Sequence, residues 1–144
     1  MSEKPSNPGT EILLPEGTTG RRLRDLQHYA TAVRVGDHVQ LSGVTGIRAD
    51  SSIPDTIDAE VDTAFDNIAG VLDAAGLGWS NVIGVRSYHL VAPGVAVIPD
   101  ESIDAVNQRI IDRMPDHYAT WTAVGVAALA IAGMNVEIEI TAHA

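Results

Sequence analysis

Cysteine is missing from the 144 residues, which excludes a disulfide framework and any thiolate chemistry. Aromatic residues make up only 4% of the chain, so a core has to be built from Val, Ile, Leu and Ala. Basic residues are scarce as well. Nine Lys and Arg stand against nineteen Asp and Glu, a formal net charge of −10. Such a surface repels phosphate backbones, and no nucleic-acid partner is expected. The longest apolar stretch, around 123–132, contains Gly125 and is too short to span a bilayer. The first residues, Met-Ser-Glu-Lys-Pro-Ser-Asn-Pro-Gly, carry no apolar segment of a secretory signal. A cytoplasmic location without membrane contact is the expectation. The five histidines (28, 38, 89, 117 and 143) show no zinc-ligand spacing, and no Gly-rich nucleotide-binding pattern occurs. Neither a zinc site nor a nucleotide site is expected.

What is present is enough for one domain: 45% hydrophobic residues over a length suited to a single core. Residues 1–25 are rich in Pro, Gly, Thr and charge and read as a polar, irregular lead-in. Arg21, Arg22 and Arg24 form a local basic patch there, read as a solvated face. Residues 26–144 read as a single domain. Ala30–Val35 and His38–Ser42 look like a hairpin turning at Gly36-Asp37, and Gly43–Pro54 like a loop. Asp55–Ala75 is the clearest helix, with apolar residues at Ile57, Val61, Phe65, Ile68, Leu72 and Ala75. Acidic residues crowd its first turns, and Gly76 stands where a C-cap glycine belongs. Asn81–Val91 is a strand. Asp100–Met114 is a second helix, striped at Ile103, Val106, Ile110 and Met114 and stopped by Pro115. Two period-two runs close the chain, Tyr118-Ala-Thr-Trp-Thr-Ala-Val-Gly-Val-Ala-Ala-Leu129 and Val136-Glu-Ile-Glu-Ile-Thr-Ala142.

The order ββαβαββ predicts an α+β domain, a mixed sheet with two helices on one face. The second face then needs cover. Apolar residues on both sides of the first closing run point to another copy of the chain as that cover. Glu137 and Glu139 alternate with Val136, Ile138 and Ile140, so both acids share one strand face.

The closing block resembles the C-terminal signature of the Rid family (YjgF/YER057c/UK114), P-A-R-S-x-V-x-V-x-x-L followed by V-E-I-E-x-x-A. Four further segments match in order. Tyr29-Ala-Thr-Ala-Val-Arg-Val-Gly36 resembles the family's opening, and Val39-Gln-Leu-Ser-Gly43 its V-F-x-S-G. Phe65–Gly76 resembles its helix, and Ile103-Asp-Ala-Val-Asn107 its F-x-x-V-N. The resemblance covers roughly 29–142. It implies a chorismate-mutase-like fold and a homotrimer with a ligand cleft at each subunit interface. In the family's deaminases that cleft hydrolyses small imines and enamines without metal or cofactor.

Carried onto this chain, the resemblance implies Glu137 as the water-handling catalytic group, with Tyr29, Ser42, Gly43, Asn107, Trp121 and Ala123 against the substrate. Trp121 stands where the deaminases hold the arginine that grips a carboxylate. Its indole offers one neutral N–H donor and a broad flat face. The loss of a charge-assisted bond worth roughly 1.5–3 kcal/mol is expected to shift the ligand toward something more apolar than an amino acid. Three functions compete at this stage: a Rid-type enzyme with altered specificity, a trimeric binding module or pathway partner without turnover, and an endoribonuclease, against which the acidic surface counts.

Overall fold

The structure, a computed structural model, describes residues 2–3, 9–13 and 26–144. Among these, eight strands form one sheet: β1 (Ser2–Glu3), β2 (Thr10–Leu13), β3 (Ala32–Val35), β4 (His38–Leu41), β5 (Val44–Thr45), β6 (Val82–Leu90), β7 (Thr120–Val126) and β8 (Val136–His143). Two helices, α1 (Ile57–Ala74) and α2 (Asp100–Arg113), lie on it. The strand order is β1-β2-β3-β4-β8-β6-β7, with β5 also on β8. Among the described strands only the β6–β7 pair is parallel. A parallel pair requires a crossover connection, and α2 supplies it.

The helices form where the apolar stripes lie. Thr56 caps α1, its hydroxyl accepting from the Ala59 N–H at 3.2 Å. The stripe Val61, Ala64, Phe65, Ile68, Val71 and Leu72 is buried. Gly76, at φ 70°, ends the helix in a left-handed turn that a side chain would strain. On α2, Ser102, Ala105 and Val106 face the core. Arg109 ties the helices together, reaching Asp58 at 3.0 Å and Asp62 at 2.8 Å.

Alternation along β8 divides the molecule. Val136, Ile138, Ile140 and Ala142 are fully buried beneath the helices, each large aliphatic contributing roughly 1.5–3 kcal/mol of transfer free energy. Glu137, Glu139 and Thr141 point the other way and are half-buried. The predicted fold class is the one observed, with two helices over a mixed sheet.

Three expectations need correction. Thr10–Leu13, read as irregular lead-in, is a strand paired to β3, and Leu13 is buried in the core. Its alternation is too short to stand out from its Pro- and Gly-rich flanks. The rest of the lead-in, with Arg21, Arg22 and Arg24, lies outside the described residues. Val44–Thr45, read as loop, pairs with β8 at Ile138 and Glu137. The seventh strand ends at Val126, short of Leu129.

Candidate functional site

The open face of the sheet collects polar groups around Glu137. Register places Tyr88 of β6 and Thr45 of β5 on either side of it. Gly43 precedes β5 and packs against the carboxylate so closely that a Cβ there would overlap it. The glycine is therefore what lets Glu137 lie back along the sheet. Tyr29 approaches as well, just after His28, whose φ of 57° turns the chain. Burial, and then the neighbouring Glu139, push the Glu137 carboxyl above its ordinary value. Burial, and then the charge on Glu137, raise the Tyr29 phenol in turn. Arg86 stands on the same face and holds Glu139 at 3.1 Å through one guanidinium nitrogen. Two carboxylates two residues apart thus have unlike surroundings, one raised toward its protonated form and one paired with a cation. That is the arrangement a site needs to place an acid beside a base or a water.

Ser42 is tied to the backbone. Its hydroxyl donates to the Ala30 carbonyl at 2.6 Å and its N–H to the Thr31 carbonyl at 2.9 Å, which fixes the bend that carries Gly43 to Glu137.

Trp121 and Ala123 are elsewhere in the chain. The parallel register sets Trp121 beside Val85 and Ala123 beside Ser87, on the helix-covered side of the sheet. The helices do not reach across β7, the last strand, so Ala123 and Gly125 are exposed and Trp121 is half-buried against the core. Asn107 is exposed on α2, also on the helix side. Within one chain, then, the structure brings Tyr29, Gly43 and Glu137 together, with Ser42 supporting them. It does not bring Trp121, Ala123 or Asn107 to them.

Two sets of groups escaped the sequence reading. Arg86, Tyr88 and Thr45 flank the carboxylates, and only the β6–β8 and β5–β8 registers reveal it. Ser87, His89 and Ser102 sit beneath Trp121. Strand alternation does put Ser87 and His89 on one side with Val85, but nothing in the sequence says that side is buried.

A concavity of about 570 Å³ lies away from both places, between the 91–98 loop and the end of β7. Its walls include Val91, Val95, Val97 and Val126 and no titratable side chain. It has the polarity of a packing groove and lacks groups for chemistry. No cluster of three metal-ligating side chains occurs among the described residues, nor a helix long and apolar enough to cross a membrane.

The profile of the Endoribonuclease L-PSP family matches residues 19–144. The chain belongs to that family. The RutC family protein YjgH of Escherichia coli K12 is 36% identical over 125 residues, covering 86% of this chain and 89% of that one. A solved structure of protein YJGH superposes with a TM-score of 0.75 at 30% identity, covering 92% of this chain and 94% of the other. Rv2704 of Mycobacterium tuberculosis, described as a member of the YjgF/YER057c/UK114 family, shares the fold at a TM-score of 0.73 and 23% identity, over 92% and 98% of the two chains. The resemblance read from the five sequence segments is thus a family membership, and the protein is a Rid-family member.

Proposed function

We propose that this Rid-family protein acts as a homotrimer whose intersubunit clefts take up a small imine- or enamine-like metabolite, with Glu137 handling the water or proton. The observation that carries the reading is the state of Glu137. It is half-buried on an open sheet face, raised in pKa, backed by a glycine and approached by Tyr29. A raised carboxyl beside water is suited to general acid–base work on a C=N bond.

The division of the site residues between two faces supports assembly. One cleft lined by both Trp121 and Glu137 requires the β7 edge of one copy to lie against the open face of another. In that cleft the indole face favours a ligand more apolar than an amino acid. Arg86, beside Glu139, places a guanidinium on Glu137's own face.

The test is hydrolysis of imines generated by an amino-acid oxidase, aromatic ones included, alongside sedimentation of the protein. Consumption faster than in buffer, lost in Glu137→Gln, is the expected result. No acceleration, or a Glu137→Gln variant as active as the parent, defeats the catalytic reading.

A non-catalytic binding trimer is the second reading. It is favoured by the indole N–H of Trp121, which is already hydrogen-bonded inside its own subunit and is not free for a reacting group. Saturable binding without product distinguishes it. Ribonuclease action, despite the family's name, is disfavoured by the net charge of −10 and by Glu137 and Glu139 on the open face.

A further inference from the structure

We propose that Ser87 and His89 are positioning residues for Trp121: a buried polar relay running from α2 through β6 fixes the indole plane, and with it the flat wall offered to a ligand. This rests on the reading that Trp121 lines the cleft.

Four side chains make the relay. Trp121 Nε1–H donates to Ser87 Oγ at 2.9 Å. Ser87 Oγ also meets His89 Nε2 at 2.7 Å. His89 Nδ1 meets Ser102 Oγ at 2.5 Å, on the inner side of α2. Ser87 and His89 are fully buried, and Ser102 nearly so.

Such a chain is costly to bury unless its members satisfy one another. A valine at 87 and an aliphatic residue at 89 would pack the same sheet face without that demand. What the polar version adds is direction. An indole held only by dispersion can turn about its side-chain torsions. One whose N–H is bound to a fixed hydroxyl has a single edge inward and a single face outward. Burial keeps the His89 ring below its ordinary pKa, so near neutral pH it carries one N–H and bridges two hydroxyls, with no cation to hydrate. Ser102 anchors the far end to a helix, so Trp121 on the edge strand is braced by the helix layer.

Trp79 is an internal control. Its indole N–H is buried without a hydrogen-bond partner, and its ring is stacked on Phe65 at 5.2 Å.

The experiment is NMR of the two indole Nε1–H resonances in the assembled protein, with phenylacetone as the probe, a neutral keto counterpart of an aromatic imine. Ser87→Ala should shift the Trp121 resonance, speed its hydrogen exchange about tenfold or more, and weaken the probe's effect on it about tenfold, the scale of one hydrogen bond. Trp79 should stay in place, and Ser87→Thr, which restores a hydroxyl, should restore both readings. His89→Gln serves if Ser87→Ala does not fold, and should give a smaller shift in the same direction. If Ser87→Ala binds the probe as the parent does while Trp121→Phe abolishes binding, the relay proposal is overturned and the cleft reading stands. If Trp121→Phe leaves probe binding intact, the cleft reading itself falls and the relay proposal falls with it.

Discussion

The two faces of the sheet carry similar strands and do opposite things. On the covered face every second residue of β8 is aliphatic and fully buried, and even the polar exceptions, Ser87 and His89, are closed into hydrogen bonds. On the open face the alternate residues of the same strands are Glu137, Glu139, Arg86 and Tyr88, half-buried or exposed, with Glu137 raised in pKa. A strand's two-residue period separates the two tasks at no cost in chain length. One face supplies stability, and the other is left free to hold strained ionisation.

The sharpest way to break this contrast is Ile138→Ala. Ile138 is fully buried between Ser87 and Val44 in register, and its truncation should lower stability by about 2–5 kcal/mol in chemical denaturation. A loss well under 1 kcal/mol would mean that the covered face is not the core. Gly43→Ala comes next and acts on the open face. The new methyl has to displace the Glu137 carboxylate, so imine turnover or probe binding should fall by about tenfold or more, with a stability loss of roughly 1 kcal/mol. Unchanged activity would remove Glu137 from the site.

Titration sharpens the comparison because the faces respond with opposite sign. Glu137 holds its proton more tightly folded than unfolded, so stability should fall as pH rises from the ordinary carboxylate value through the raised one. Glu137→Gln should remove that decline. His89 is depressed by burial, so stability present above its ordinary value of 6.5 should be lost as pH drops below it, and His89→Gln should remove that loss. Urea midpoints across pH 4–8 check both; a parallel response from the two variants would refute the assignment. The smallest effect is expected at the exposed Arg86–Glu139 pair. Arg86→Gln should leave the urea midpoint within experimental scatter at any salt concentration.

Helix positions were legible because a 3.6-residue stripe with acidic first turns and a stop signal is local: the Phe65 stripe, Gly76 and Pro115 each declare themselves, whereas the Thr56 cap emerged only with the structure. The motif around Glu137 was legible for a similar reason, since strict alternation over Val136–Ile140 assigns faces. The strand at Thr10–Leu13 was hidden because four residues gain their hydrogen bonds only from β3. The companions of each site residue were hidden because register is a non-local property. A one-residue slip of β7 against β6 would have turned Trp121 to the other face.

The amino-acid order by itself settled the family, the two helices with the long strands around them, and which residues of each of these share a side. Those follow from periodicity and from turn chemistry within a few residues. The fold alone decided that Trp121 and Glu137 lie on opposite sides of the sheet, that Arg86 stands beside the acids, and that Ser87, His89 and Ser102 close beneath the indole. Each depends on pairing between strands and helices far apart along the chain, where hydrogen-bond register and burial are fixed only once the whole sheet has assembled.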